Sequence, residues 1–301
     1  MSTDTARSSK ENSGGTTLLL IDVQNDFHPG GSLAIPTANE DADRIASLIR
    51  NNMSSIDRII ATLDSHRKLH IAHPAFWVGE DGKNPSPFTI IASDEVESGK
   101  WKPREDLKVP STELDTVIFE KAEDVIREDG SIDLLKYCIE YTRALEKKGR
   151  FQLCIWPEHC IVGTEGHCVV PTVYSAIDEW SNTTGASVEW VYKGENLLTE
   201  NYSCLCADVP VSSSTSFHTG LHGSLMTSSQ LLVAGQAMSH CVNYTLRDII
   251  SKWPADKCSK VCLLTDCASP VPGFEEAADK FTKDMEEAGV KLCVAAQAFD
   301  A

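Results

Sequence analysis

The chain has 301 residues and a formal net charge of −17 at pH 7. That length can bury a sizeable core, as one large α/β domain or as one domain with a large insertion. The negative charge argues against nucleic acid or an anionic membrane as a partner, because a polyanion would be repelled. The sequence contains no run of about 18 apolar residues, so it predicts no membrane span.

Residues 1–15 are polar, rich in Ser and Gly, and lack a hydrophobic signal core. This composition predicts a disordered leader ahead of a single domain at 16–301, and a cytoplasmic protein. The eleven cysteines are scattered through the chain. A chain of this length needs no disulfide staples, and in a reducing compartment most of its cysteines are expected to be small buried residues.

Short apolar runs alternate with helical patterns through the rest of the chain. Strands are predicted at 17–22, 58–63, 116–119, 151–155, 188–192, 229–234, 260–265 and 291–295. Helices are predicted at 39–53, 132–148, 240–252 and 274–287. The alternation indicates an α/β fold, with a mostly parallel sheet covered by helices on both faces.

Polar residues follow several of the predicted strands. Asp22, Asp64 and Lys193 each stand at a strand end, and the segment that leads to Cys241 follows another. In parallel sheets ligands bind outside the carboxyl ends of the strands. The sequence therefore predicts a functional site at this edge of the sheet.

A group of metal-ligand residue types begins at the second strand end. Asp64 and His66 are two positions apart and share one side of an extended segment, and His70 and His73 follow in a short loop. His159 lies much further along the chain. One carboxylate with two or three imidazoles suits Zn²⁺, Fe²⁺ or Mn²⁺, with positions left for water or substrate. On spacing alone, a chance gathering of surface histidines is the alternative.

Residues 231–241 read as an apolar strand, a tight turn containing Gly235, and the start of a helix. A thiol at a helix N-terminus meets the positive end of the helix dipole and several free N–H groups, which lower its pKa and can hold an oxyanion. Lys193 could stabilise the thiolate of Cys241, and Asp22 could accept and return the proton. The alternative is that Cys241 is one more buried cysteine.

Five ordered motifs carry a family resemblance. They are LIDVQNDF at 20–27 with PGGSL at 29–33, DSH at 64–66 with His70, WPEHC at 156–160 with GTEG at 163–166, KG at 193–194, and GQAMSHCV at 235–242. Together they resemble the nicotinamidase/isochorismatase-like cysteine hydrolases, and the DSH and WPEHC segments are similar to those of nicotinamidases. The motifs span both ends of the chain, so the isochorismatase-like hydrolase fold is expected throughout.

The resemblance implies a role for each matched residue. Cys241 becomes the nucleophile, Asp22 the general base and acid, and Lys193 the group that lowers the thiol pKa. Lys121 precedes the WPEHC segment, whereas the lysine of the family follows it. An oxyanion hole is implied at the N–H groups of Ala237 and Cys241, with a cis peptide before Ala237.

The resemblance also implies a metal site and a ring pocket. Asp64, His66 and His159 would hold one divalent ion, with His70 as a further candidate and zinc expected ahead of iron or manganese. Phe27 and Trp156 would form the aromatic walls of a ring pocket, or else serve as plain core residues.

The expected activity is hydrolysis of nicotinamide, or a related small aromatic or heteroaromatic carboxamide, to the acid and ammonia. The alternatives are an isochorismatase-like or carbamoyl hydrolase, and a binding protein without catalysis on the same fold. Self-association is an expectation from the resemblance alone.

His66 and His159 are 93 positions apart, further than in compact nicotinamidases. An insertion is therefore predicted at about 78–150, as a lid or an oligomer contact. Ser65 and Met238 depart from residues common in the family, which leaves the exact substrate open.

Overall fold

A computed structural model describes residues 14–299, so most of the predicted leader lies outside the described part of the chain. The strands there are β1 (Thr16–Ile21), β2 (Arg58–Asp64), β3 (Trp77–Gly79), β4 (Ile90–Ile91), β5 (Trp101–Pro103), β6 (Leu153–Cys154), β7 (Glu189–Lys193), β8 (Gln230–Gly235), β9 (Val261–Leu264) and β10 (Lys291–Cys293). The α-helices are α1 (Ala38–Asn51), α2 (Ser93–Glu97), α3 (Ala122–Val125), α4 (Leu134–Lys148), α5 (Pro171–Thr184), α6 (Thr219–Met226), α7 (Cys241–Ser251) and α8 (Glu275–Glu287).

Six strands form one sheet in the order β10-β9-β8-β1-β2-β7, and every neighbouring pair is parallel. The predicted α/β fold with a parallel sheet is thus confirmed. Cys262 and Cys293 form a disulfide between the outer strands β9 and β10. Among the described helices, none combines the length and apolar character that crossing a bilayer requires.

Successive residues of the central strand β1 face opposite sides of the sheet, as strand geometry requires. Leu18 and Leu20 pack in a core cluster with α1 and α5, which includes Trp180. Leu19 and Ile21 pack in a second cluster, which includes residues of α4, α7 and α8. All four β1 side chains are fully buried, and each contributes about 1.5–3 kcal/mol relative to an exposed side chain.

The strand predicted at 116–119 is wrong. These residues form a turn, in which the N–H groups of Ile118 and Phe119 both donate to the carbonyl of Asp115. Phe119 is buried, whereas Val117 is 91% exposed. The apolar run resembled a strand because β-branched residues favour strands, but none of the strands described in residues 14–299 pairs with it.

The strand predicted at 151–155 is only partly right. Its ordered part, β6, pairs antiparallel with β4 outside the main sheet. The N–H of Ile155 donates to the carbonyl of Thr89 rather than to a strand of the main sheet. The sequence analysis also missed α5, which contributes Trp180 to the first core cluster, and α6, which contributes Leu221 to the second.

Residues 78–150 contain β4, β5, α2, α3 and α4, and most of their buried side chains join the second core cluster. Tyr137, Tyr141 and Leu145 of α4 are among them. This region therefore packs against the sheet rather than forming a core of its own. The predicted domain limits and the role of the insertion stay predictions.

Candidate active site

Four adjacent strands deliver the predicted reactive groups to one edge of the sheet. Asp22 directly follows β1, and Asp64 and Lys193 are the last residues of β2 and β7. After β8, a five-residue loop leads to Cys241, the first residue of α7. Because β8, β1, β2 and β7 are neighbours, the four side chains converge although they are distant in sequence.

The Lys193 ammonium lies at the centre of this group. Its Nζ is 3.0 Å from Asp22 Oδ2, 3.0 Å from Asp64 Oδ1 and 3.6 Å from Cys241 Sγ. It also donates to the carbonyl of Asn201 at 2.9 Å. All of these residues are buried. The predicted trio of thiol, ammonium and carboxylate is therefore assembled in one place.

The pKa shifts follow from burial and these charges. Burial alone would lower the pKa of Lys193, but the carboxylates of Asp22 and Asp64 outweigh it and hold that pKa well above its usual value. Burial raises the pKa of Asp22, although Lys193 opposes the shift. Burial also raises the pKa of the Cys241 thiol well above its usual value, and Lys193 only partly counteracts it. Lys193 thus lowers the pKa of the Cys241 thiol, as predicted, but by less than burial raises it.

Two residues missed by the sequence analysis position the carboxylates. The Thr62 hydroxyl donates to Asp22 Oδ1 at 2.6 Å and accepts the Asp22 N–H at 3.1 Å. The Gln24 side chain accepts the N–H of Asp64 and donates to its carbonyl, both at 2.8 Å. Gln24 lies within the first motif and could have been found there, whereas Thr62 looked like an ordinary strand residue.

Two glycines allow the close approach of these elements. Gly194, next to Lys193, has φ +78°, and a Cβ there would lie 2.7 Å from Asp64 Oδ1. Gly235, at the end of β8, has φ +122°, and a Cβ there would lie 2.0 Å from the carbonyl oxygen of Ile21. Any larger residue would push the strand ends apart, because its Cβ would overlap the neighbouring strand. Both positions also have a positive φ, which residues other than glycine rarely adopt.

The turn after β8 presents backbone N–H groups beside the thiol. The peptide between Gln236 and Ala237 is cis, as the resemblance implied. The side chain of Gln236 donates to Asp41 Oδ2 at 2.8 Å, which ties the turn to α1. Ala237 and Cys241 both line the same cavity, where their N–H groups could bind an oxyanion.

Asp64 also faces two imidazoles. Its Oδ2 lies 3.0 Å from His66 Nε2 and 3.3 Å from His159 Nε2. His159 Nδ1 donates to the carbonyl of Pro157 at 2.8 Å, so the Nε2 of a neutral His159 presents a lone pair to the carboxylate. Within residues 14–299, both ring nitrogens of His66 are buried without a hydrogen-bond partner. A divalent cation could bind the Asp64 carboxylate and the Nε2 atoms of His66 and His159 together, so these three side chains fit a metal ion as its ligands.

The structure distinguishes the two further histidines. His70 Nε2 donates to the carbonyl of Thr199 at 3.0 Å, and His70 Nδ1 accepts the N–H of Ala72 at 3.2 Å. Both nitrogens of His70 are therefore engaged. His73 Nδ1 donates to the carbonyl of Lys68 at 3.3 Å, while its buried Nε2 has no partner among the described residues. The geometry thus favours His73 over His70 as an additional ligand.

Glu200 also lies at this cluster and was missed. Its Oε1 is 3.9 Å from His66 Nε2, and its Oε2 is buried without a hydrogen-bond partner in the described part of the chain. Burial raises the pKa of Glu200, and the nearby His66 opposes the shift. Glu200 follows Lys193 in a segment without a recognised motif, so nothing in the sequence indicated a role for it.

Aromatic side chains surround a small cavity over the thiol. Phe27 lies edge-on to His159, and Trp156 donates from Nε1 to the hydroxyl of Tyr202 at 2.9 Å. The cavity measures about 20 Å³ and is lined by Phe27, Leu33, Asp64, Trp156, His159, Glu200, Tyr202, Ala237, His240, Cys241 and Val271. This volume holds about one water, so an aromatic ligand requires the lining to move apart.

Three other polar residues, among them the alternative lysine Lys121, lie outside the group. Lys121 is exposed and pairs with Asp124 at 3.5 Å. Asp26 accepts the N–H groups of Cys160 and Ser32, which makes it a structural link beneath the WPEHC segment. Asp266, which follows β9, accepts the N–H of Ala295 at 2.8 Å.

Comparisons with known proteins agree with this architecture. No protein-family model matches the chain. A nicotinamidase of Escherichia coli (strain K12) is 24% identical over 233 residues, which cover 77% of this chain and 75% of that protein.

Two solved structures share the fold. The yeast nicotinamidase bound to the inhibitor nicotinaldehyde superimposes with a TM-score of 0.57 at 20% identity, covering 93% of this chain and 99% of that one. The pyrazinamidase of Pyrococcus horikoshii in complex with zinc has a TM-score of 0.51 at 17% identity, covering 93% and 98%. The predicted fold and the resemblance to nicotinamidases are confirmed.

Proposed function

We propose that the protein is a cysteine amidohydrolase, which cleaves nicotinamide or a related small aromatic or heteroaromatic carboxamide to the acid and ammonia. The observation that supports this most directly is a buried contact of three groups. The ammonium of Lys193 lies 3.0 Å from the Asp22 carboxylate and 3.6 Å from the Cys241 sulfur. A thiol, a cation and a carboxylate in contact are the parts that thioester chemistry needs.

In the first half-reaction, Cys241 Sγ attacks the amide carbonyl while its proton passes to Asp22. Both groups have a raised pKa, so Asp22 is a stronger base than an exposed carboxylate and better matched to the thiol. The N–H groups of Ala237 and Cys241 stabilise the oxyanion. Asp22 then returns the proton to the departing nitrogen, the C–N bond breaks, and ammonia leaves a thioester on Cys241.

In the second half-reaction, a water molecule attacks the thioester carbonyl. Asp22 accepts a proton from that water, and the C–S bond breaks as the acid forms. The proton returns to the sulfur and restores the thiol. Lys193 keeps its charge throughout, because two carboxylates hold its pKa well above its usual value. It therefore stabilises the departing thiolate without exchanging a proton.

We propose zinc as the metal, held by Asp64, His66 and His159, with His73 as a further ligand. When bound, the ion supplies a positive charge that can hold a ring nitrogen of the substrate. The chain's own residues then shape the pocket: Phe27 and Trp156 are proposed to flank the substrate ring. A carboxamide attached to a heteroaromatic ring suits this combination of aromatic walls and cation.

The test measures ammonia release from a panel that includes nicotinamide, pyrazinamide, benzamide and an aliphatic amide, with and without chelator. We expect the heteroaromatic amides to react fastest, a chelator to remove most of the activity, and Cys241→Ala to lower kcat at least about 10³-fold. Cys138→Ala, which removes another buried thiol, should retain activity.

Full amidase activity in Cys241→Ala would refute the thioester mechanism. Chelator-resistant turnover of an ether or carbamoyl substrate would favour the isochorismatase-like or carbamoyl alternative. A folded protein without hydrolysis would support the binding-protein alternative. The cytoplasmic location, the absence of nucleic-acid or membrane partners and the self-association stay predictions.

A further inference from the structure

Four consecutive residues beside the site, 198–201, are held by side chains from two directions. The carbonyl of Leu198 accepts from Tyr137, and the N–H of Glu200 donates to the hydroxyl of Tyr141. These two tyrosines belong to α4. On the other side, the carbonyl of Thr199 accepts from His70 and the carbonyl of Asn201 accepts from Lys193. The segment therefore lies between α4 and the catalytic groups.

The α4 side of this segment is closely packed. Tyr137 Oη donates to the Leu198 carbonyl at 2.5 Å, and Tyr141 Oη accepts the Glu200 N–H at 3.0 Å. Both tyrosines are fully buried, and their rings are stacked with centroids 5.8 Å apart. Burial raises the pKa of both phenols, so both keep their protons. These contacts are specific hydrogen bonds rather than loose apolar packing.

The site side of the segment touches the reaction centre directly. The Asn201 carbonyl accepts from Lys193 Nζ at 2.9 Å, alongside the two carboxylates that hold the same ammonium. The Glu200 carboxylate reaches the histidine cluster. A shift of residues 198–201 would therefore move an acceptor of Lys193 and the carboxylate of Glu200 together.

We propose that Tyr137 and Tyr141 are positioning residues of the active site. Through the backbone of 198–201 they set the place of the Lys193 ammonium relative to Cys241, and the place of the Glu200 carboxylate. Their catalytic consequence depends on the proposed amidase function, whereas their effect on Cys241 does not. The region predicted as an insertion would then be part of the catalytic framework.

The effect of each tyrosine follows from the bond it makes. Without the Tyr141 hydroxyl, the buried Glu200 N–H has no acceptor, and the segment must shift to find one. Displacements of about 1 Å in a catalytic arrangement can cost about 10²-fold in rate. Loss of the Tyr137 hydroxyl leaves a carbonyl with one fewer donor, which backbones tolerate better.

The main experiment compares Tyr141→Phe and Tyr137→Phe with the wild type in steady-state amidase kinetics. Tyr141→Phe should lower kcat at least about tenfold, with KM changed by less than about threefold, because Phe27 and Trp156, which are proposed to flank the substrate ring, are unaltered. Tyr137→Phe should also lower kcat with little change in KM, but by a smaller factor. An unchanged kcat in folded Tyr141→Phe would overturn the proposal.

Cys138→Ala is the matched control, since Cys138 is fully buried on the same helix and its thiol contacts neither residue 198 nor residue 200 by a hydrogen bond. It should lower the melting temperature while leaving kcat within about twofold. If Cys138→Ala lowers kcat as much as Tyr141→Phe does, the effect is general destabilisation and the proposal is wrong.

A second readout separates this proposal from the proposed function. The alkylation rate of Cys241 by iodoacetamide, followed at one pH by mass spectrometry of its peptide, needs no amide substrate. We expect it to fall at least about threefold in Tyr141→Phe, because Lys193 moves from the sulfur, and to stay unchanged in Cys138→Ala. An equal rate in Tyr141→Phe and wild type would overturn the positioning role, even if the wild type proves to be an active amidase.

Discussion

Two regions of the molecule, the sheet edge and the surroundings of α4, bury carboxylates at different distances from the nearest cation. At the sheet edge, the carboxylates of Asp22 and Asp64 both lie 3.0 Å from the Lys193 ammonium. Near α4, the carboxylate of Asp208 is equally buried, but the cation beside it, Arg150, is 3.8 Å away and pairs at 2.7 Å with Asp248. Within residues 14–299, neither carboxylate oxygen of Asp208 has a hydrogen-bond partner.

The pKa values record this difference. Burial would raise the pKa of Asp64, but His66 and Lys193 outweigh it and hold that pKa well below its usual value. Burial raises the pKa of Asp208 to about 7, since Lys148 and Arg150 compensate only in part. The charge of Asp64 thus persists where His66 and Lys193 both lie in contact, and Asp208 is neutralised where the cation is further away. At Asp22 complete burial raises the pKa even though Lys193 is equally close. Charge is retained at the edge where the proposed chemistry needs it.

The largest effect should come from Lys193→Met, which removes the cation paired with Asp22 and Asp64 at the sheet edge. This change leaves the carboxylates of Asp22 and Asp64 buried without their cation, which costs about 3–5 kcal/mol of unfolding free energy. It also removes the charge beside Cys241, so kcat should fall by about 10²–10⁴-fold. Kinetics and chemical denaturation of the same preparation measure both effects.

Lys147→Met is the control, since Lys147 is exposed on α4 and the change in net charge is the same. It should alter neither quantity appreciably. Equal losses in the two variants would mean that net charge, rather than the buried pairing, is responsible.

An intermediate effect is expected at the histidine cluster, where the comparison concerns two neighbours. His73 Nε2 has no partner among the described residues, whereas both nitrogens of His70 are engaged. His73→Gln should therefore weaken metal binding at least about tenfold, and His70→Gln only a few-fold. Competition with a chelator, followed by metal analysis, measures both variants. Loss of metal in His70→Gln but not in His73→Gln would reverse the assignment.

A separate effect, on the pH dependence of stability, should come from Asp208→Asn, which removes the buried carboxyl that lacks a close cation. In the folded state Asp208 keeps its proton up to about pH 7, whereas the unfolded chain releases it near 3.8. The folded state therefore binds more protons between these values, and the stability of the wild type falls as pH rises through that window. At about 1.4 kcal/mol per pKa unit, the loss amounts to a few kcal/mol.

Asp208→Asn removes this dependence, so its melting temperature should fall less than that of the wild type between pH 5 and pH 8. Asp256→Asn, at an exposed position, is the control and should follow the wild type. Parallel pH profiles for wild type and Asp208→Asn would show that burial does not hold a proton on Asp208.

Much of the fold was predictable because its strands are short apolar runs that end in polar residues. The run before Asp22 and the run before Lys193 both became strands of the parallel sheet. The run at 116–119 has a similar composition but forms a turn, since a strand depends on the neighbours with which it pairs. Sequence windows contain no information about such neighbours.

The sequence by itself determined the residue types at the strand ends and the motifs that join Asp22, Asp64, Lys193 and Cys241 to one kind of chemistry. The strand ends follow from residue types and periodicity along the chain, and the shared chemistry is what the resemblance of the motifs to a known family implies. Only the tertiary structure decided which histidine has a free nitrogen, that Glu200 faces the cluster, and that tyrosines of α4 hold the neighbouring segment. The contacts of Glu200 with His66 and of the two tyrosines with residues 198 and 200 join positions 59 to 134 apart, which packing alone brings together.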